Sequence, residues 1–321
     1  VTPASRSRAR WGYALIVLSA SAAASTSIAA ALTFDAGLTP AEAGAVRVYG
    51  GTLTLGLIAL LSLRLLRRAD LPILIAFGVI ALMLGPGAAF QAIGLMDVAI
   101  VMVIIFTAPV IVAAYERIRF AVRLPAYAYA AMVLAIAGVA LMVLGGGGDG
   151  GGISPLGVAF SLVATCTYVL GVIMAERLPG HLPPMARTGF AMPFAAVAWA
   201  IFVPPWTLPF DRFGDVVAFE GRLDLAVPVW AALLVVALVG SIVVYLTWVT
   251  GTVRVGPGAA SMVGSVEPVV AGALAWLILA QRLTPVQVLG MAVAIGAIIV
   301  VERARLHRRA STVPDAPVDL L

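Results

Sequence analysis

Lysine is absent from this chain of 321 residues: all 20 of its Lys-plus-Arg positions are arginine, and only 11% of its residues carry charge. Set against 62% hydrophobic residues and a mean hydropathy of +1.10, so little charge excludes a large soluble domain, which would hold about 45–50% apolar residues. Cysteine occurs once, at Cys166 inside an apolar run, which excludes an internal disulfide and a thiolate metal site. Histidine occurs only at His181 and His307, at the edges of apolar runs, so no metal centre or other cofactor is expected. The apolar runs hold no His pair, Ser-His constellation or carboxylate dyad, so an enzyme is not expected. The net charge of +5 does not imply nucleic acid either, because the arginines stand singly or in threes between apolar runs.

What the chain does have is long apolar runs. Ten spans of about 20 residues, each long enough to cross a core of roughly 30 Å, are expected near 12–32, 43–63, 71–91, 97–116, 125–144, 154–175, 184–204, 227–250, 256–279 and 285–302. With the N-terminus inside, one side receives Arg6, Arg8, Arg10, Arg64, Arg67, Arg68, Arg117, Arg119, Arg123, Arg177, Arg187, Arg254, Arg303, Arg305, Arg308 and Arg309. The other receives only Arg47, Arg212, Arg222 and Arg282. That asymmetry predicts both termini on the cytoplasmic side. Residues 5–33 resemble a signal peptide, but the run is span-length, and it is read as the first span.

Residues 97–138 and 256–297 echo each other without a gap at an offset of 159. Pro109-Val110 falls on Pro268-Val269, Arg123-Leu124 on Arg282-Leu283, and Met132, Ala135 and Ile136 on Met291, Ala294 and Ile295. Five expected spans separate corresponding points, so the halves would lie in opposite orientation, the inverted-repeat plan of many secondary transporters. The expected fold is therefore an all-α polytopic membrane protein of ten transmembrane helices in two inverted five-helix repeats, 12–144 and 154–302. A Gly-rich linker at 145–153 joins them, and a tail follows at 303–321. The segment 205–226 reads as an external, mildly acidic loop. Thr39-Pro40-Ala41-Glu42 and Thr284-Pro285-Val286-Gln287 have capping-box spacing, which sets where spans 2 and 10 begin.

Polarity is unevenly shared among the spans. Span 1 carries Ser19, Ser21, Ser25, Thr26 and Ser27; span 6 carries Ser161, Thr165, Thr167 and Tyr168; span 3 adds Gln91; span 8 adds Ser241, Tyr245, Thr247 and Trp248. Spans 5 and 10 have almost no hydroxyls. The polar spans should face an interior pathway and the smooth pair should lie outside it, although any single hydroxyl also serves as helix-packing glue. Pro86, Pro109 and Pro268 predict broken or kinked helices near the midplane. Glu267 is the one acidic residue near the middle of a span, and an ionised carboxylate there costs about 2.5–3.5 kcal/mol or more. It either binds a charged substrate group or a proton, or serves helix packing. Arg47 and Arg187 stand one turn inside opposite mouths, where each either attracts a carboxylate or snorkels to headgroups. Glu116, Arg117 and Arg119 read as the solvated end of span 4.

Glu267-Pro268-Val269, then Gln281-Arg282-Leu283-Thr284-Pro285 and Gly290, resemble the EamA-type branch of the drug/metabolite transporter superfamily over essentially the whole chain. Gln281 stands where that family usually has Glu. Phe106-Thr107-Ala108-Pro109 and Met262 to Pro268 look most like its threonine/homoserine exporters. The resemblance implies an alternating-access carrier in a bacterial inner membrane, with spans 1–4 and 6–9 around a central cavity. It implies export of a small metabolite, most simply an amino acid, with proton coupling left open. Substrate contacts are expected from Arg47, Gln91, Thr165, Tyr168, Tyr245, Trp248 and Glu267. A carrier or flippase for a sugar, nucleotide or lipid-linked substrate, and a permease subunit of a larger transporter, remain alternatives. The expected partners are a small-molecule substrate and the lipid bilayer, without nucleic acid, in a monomer or a homodimer joined through spans 5 and 10.

Overall fold

A computed structural model describes residues 3–120, 124–145, 153–219, 221–223 and 225–312. Arg123, most of the Gly-rich linker (146–152) and the end of the tail (313–321) lie outside the described residues. Among those described, eight helices are long and apolar enough to cross a membrane. These are α1 (Arg10–Asp35), α2 (Pro40–Leu60), α3 (Arg68–Ile93), α4 (Val98–Tyr115), α5 (Ala126–Leu144), α6 (Pro155–Ala175), and, beyond a shorter α7 (Pro184–Ala200), α8 (Val229–Val255). The eighth, α11 (Pro285–Arg305), follows two short pieces, α9 (Pro257–Gly264) and α10 (Glu267–Ile278).

The structure thus departs from ten uniform spans at two places. Helix α7 has 17 residues and reaches only about 26 Å at 1.5 Å per residue. It stops because Pro204 and Pro205 follow its last turn. The expected ninth span is divided at Ser265-Val266. Helix starts obey the expected chemistry. Thr39 and Glu42 form a reciprocal capping box, with Thr39 N donating to Glu42 Oε2 at 2.6 Å and Glu42 N to Thr39 Oγ1 at 3.2 Å. Thr284 and Gln287 repeat it at 2.8 and 3.2 Å. Between α7 and α8 a short antiparallel hairpin pairs β1 (Val216–Ala218) with β2 (Ala226–Pro228), Val217 facing Val227.

Small residues set the helix packing, as expected where backbones must approach without a solvent-driven force between apolar surfaces. A Cβ on Gly138 of α5 would sit 2.6 Å from Ala294 N, and one on Gly290 of α11 would sit 2.7 Å from Gly138 O. Helices α5 and α11 therefore lie against each other within one chain. Gly12 and Gly251 bring α1 onto α8, and Gly171 meets Ala81 where α6 lies on α3. Helices α1 and α8, and likewise α6 and α3, form extensive contacts, while α2 packs on α7.

Candidate functional site

Helix breaks come first, because they place the polar groups. In α4 the regular helix stops at Ile105 and resumes at Ala108, because Pro109 has no N–H to continue the ladder. Pro109 leaves the Ile105 carbonyl without its helical donor, and at the same break the Ile104 carbonyl accepts from Thr107 N at 3.1 Å, Thr107 Oγ1 at 2.7 Å and Thr165 Oγ1 at 3.3 Å. Pro268 produces the same break one echo later: α9 ends at Gly264 and α10 starts at Glu267. Glu267 is thus the first residue of a helix, with Pro268 in the favoured first-turn position. Pro86 acts differently. It sits in the first turn after a π-helical segment, Gly78–Leu84, and the helix runs on without interruption. A second π segment, Val235–Val243, occupies the corresponding part of α8.

That wide turn matters for Arg47. The Val244 N–H bonds to the carbonyls of Val239 and Ser241 and steps over Gly240. The Gly240 carbonyl instead accepts from Arg47 Nη2 at 3.3 Å, and Ser241 Oγ donates to Arg47 O at 3.4 Å. The guanidinium also lies 5.9 Å from the centre of the Phe90 ring, within reach of a cation–π attraction. Arg47 is therefore turned inward and held by α8 and α3, not extended to a headgroup layer.

Four expected residues come together. Arg47 of α2, Tyr245 of α8 and Glu267 of α10 interact electrostatically, and Tyr168 of α6 feels both Glu267 and Tyr245. Tyr168 keeps 50% of its surface open, and Arg47, Tyr245 and Glu267 remain partly open. Among the described residues the Glu267 carboxylate accepts no hydrogen bond, so its oxygens are free to meet whatever enters.

The remaining expected residues are placed otherwise. Thr165 is fully buried and donates to Ile104 O and to Ser161 O, the latter at 2.7 Å, so it fastens α6 to α4 instead of lining open space. Trp248 lies on the bare face of Gly264, whose Cβ, if present, would be 2.9 Å from the ring; it walls the break before Glu267. Gln91 is partly exposed, next in sequence to Phe90, and no contact ties it to the four. Arg187 donates to Leu182 O at 2.9 Å and Gly180 O at 3.2 Å, so it caps the α6–α7 turn. Sequence reasoning missed Phe90, for which only its place three residues after Gly87 gave a signal. It also missed Glu302, which is buried, paired with Arg305 at 2.7 Å and felt by Tyr168; its place at a span end hid it.

Comparison with known proteins gives the family. The model of the EamA-like transporter family matches residues 10–144 and 155–303. The chain is 26% identical to Protein PecM of Dickeya dadantii (strain 3937) over 159 residues, 49% of this chain and 50% of that protein. It thus spans about half the length of the curated relative it matches. One solved crystal structure superposes with a TM-score of 0.57 at 19% identity, over 94% of this chain and 99% of the other, a similarity of fold alone.

Proposed function

The chain belongs to the EamA-like transporter family, a multi-pass membrane family of small-molecule transporters and not of enzymes, and from that premise we propose that it exports an amino acid by alternating access. In this reading α1–α5 and α6–α11 are two inverted repeats crossing the inner membrane ten times, with α9 and α10 together forming one crossing and both termini in the cytoplasm. The helix breaks at matching registers, and the contacts of α1 with α8 and of α6 with α3, support the repeat.

One observation carries the substrate class. A guanidinium and a carboxylate from opposite halves, Arg47 and Glu267, attract each other within the helix bundle, beside the partly open Tyr168 and Tyr245. Opposite charges fixed apart within a poorly solvated bundle match a zwitterion, whose carboxylate meets Arg47 and whose ammonium meets Glu267. Without substrate the two side chains attract each other, so loading and release exchange one pairing for another. Arg47 is held by Gly240 of α8 and Glu267 heads α10, so that exchange alters the force between halves, the differential interaction an alternating carrier requires. A proton on Glu267 can replace the ammonium, which would couple transport to pH.

The test is counterflow of a labelled metabolite panel in proteoliposomes, with wild type and Glu267→Gln at two pH values. Exchange of amino acids, lost or made independent of pH in Glu267→Gln, is the expected result. Normal exchange with unchanged pH dependence in the variant would make Glu267 a packing residue and remove both the zwitterion and the proton readings.

A further inference from the structure

The segment Pro205–Pro228 belongs to no helix of the bundle, yet it is tied to both halves of it. At one end Arg212 Nη1 donates to Gly37 O at 2.6 Å, in the turn between α1 and α2. At the other, Gly221 N donates to Ile278 O at 2.9 Å and Arg222 N to Leu277 O at 2.7 Å, taking the last carbonyls of α10. The Arg222 guanidinium stacks 4.2 Å from the centre of the Trp276 ring, and Gly221 approaches so closely that a Cβ there would collide with the Leu277 carbonyl. Between these ties, Phe219 and Val227 close over an apolar hollow of about 220 Å³ whose other walls include Ile28 of α1, Ala231 of α8 and Leu274 of α10.

We infer that this strap is the gate at that end of the transport pathway, latched to the first half at Gly37 and to the second at Trp276–Ile278. The inference rests on the alternating-access reading. The latch grips the far end of the helix whose first residue is Glu267. A helix of 12 residues moves as one rod, so a change of partner at Glu267 is transmitted along α10 to the strap. The two ties also differ in chemistry. The Arg212 tie bonds a single backbone carbonyl, whereas the Arg222 tie combines two amide bonds with a cation–π contact, so the second is the stronger and the first is the side that lets go. The strap then hinges on α10 and uncovers the hollow from the α1–α2 side. None of the site residues Arg47, Tyr168, Tyr245 and Glu267 belongs to the strap, so gate and binding site can be altered separately.

Cysteine chemistry tests this without knowing the substrate, because Cys166→Ala removes the one native thiol. In that background, Ala231→Cys reports on the covered hollow. Adding Arg212→Ala, which removes the tie that lets go, should raise its modification by a membrane-impermeant thiol reagent, applied to intact cells, by about tenfold, the scale of a lost hydrogen bond from a charged group. An unchanged rate would mean that the strap does not cover the hollow, and modification from the cytoplasmic side alone would place it at the wrong mouth; either result overturns the gate. A second variant, Arg212→Cys with Ala36→Cys bridged by a short reversible thiosulfonate, places the bridge beside Gly37 and leaves that left-handed glycine in place. Bridging should stop counterflow and reductant should restore it, whereas full bridging with undiminished counterflow would show a static cap. Should no metabolite exchange at all, the transport reading fails on its own, and the labelling arm still decides whether the strap opens.

Discussion

Two helix breaks, one at Phe106-Thr107 and one at Ser265-Val266, share a register at the offset of 159 and a proline three residues into the break, yet they do opposite things. In the first, Ala108 stands where the second has Glu267. The Ile104 carbonyl at the break is covered by Thr107 and by Thr165 from α6, so the break is sealed within protein. The second break leaves a carboxylate with no hydrogen bond among the described residues, opposite Arg47. In the proposed carrier, one backbone device thus serves once as a joint and once as a binding element. Proline fixes where a helix opens, and the side chains around it decide what the opening is for.

The comparison is broken most severely by removing the asymmetry. Glu267→Ala should lower counterflow by a factor on the order of a hundred, as expected when one partner of an enclosed charge pair is removed and the other is left unpaired. Ala108→Ser, at the echo position, should leave it within about twofold, the scale of a neutral change away from a site. Equal losses at the two positions would mean that both breaks act only as hinges. The second largest effect is on stability and belongs to the sealed break. Replacing both Thr107 and Thr165 by Val strips the side-chain donors from a buried carbonyl, at a cost of about 1–3 kcal/mol. Thermal unfolding in detergent should fall accordingly, with binding of the transported metabolite little changed. A loss of affinity without a loss of stability would return Thr165 to the cavity wall.

The breaks at Pro109 and Pro268 were legible because proline removes a helix donor, although the helices run on through Pro86 and Pro193; their use was not. Thr165 and Tyr168 stand three residues apart on α6, and polarity sorted both toward a pathway. Only the position of the Ile104 carbonyl turns the Thr165 hydroxyl into glue, and a distant helix supplies that carbonyl. The π segments in α3 and α8 were invisible for a related reason. No residue type marks them, since they relieve packing set by neighbouring helices, and so the Gly240 carbonyl that holds Arg47 could not be anticipated. Arginine placement marked the edges of the expected spans, eight of which are helices long and apolar enough to cross a membrane. It could not show that α7 would be short, because Arg187 reads as a membrane-edge charge whether it meets headgroups or, as here, its own turn.

Arg47→Lys sharpens the comparison further at smaller magnitude. Lysine keeps the positive charge that faces Glu267 but loses the planar fork that can hold Gly240 O, stack on Phe90 and still present donors to a carboxylate. The expected result is a KM raised about tenfold, one hydrogen-bonded charge contact's worth, with the maximal rate retained. A fall in maximal rate at constant KM would assign Arg47 to the conformational change instead of to binding.

The smallest effect lies where the two halves meet behind the breaks. Gln281 Oε1 accepts from Val98 N at 3.1 Å, so the turn before α11 caps the first turn of α4. An acceptor there satisfies one of the four amides a helix leaves open at its N-terminus, and a neutral amide oxygen is enough to do so. This gives Gln281 a role that needs no charge, although its family more often has Glu at that position. Gln281→Ala should lower thermal stability by about 0.5–1.5 kcal/mol. Gln281→Glu should raise it by about 0.3–1 kcal/mol, because a carboxylate also meets the positive end of the helix dipole. Neither should change which metabolites exchange, since the cap lies at the opposite end of α4 from Pro109. If Gln281→Glu altered substrate choice while leaving stability unchanged, the turn would belong to the transport pathway, and the division between sealed joint and open site would have to be drawn one helix further out.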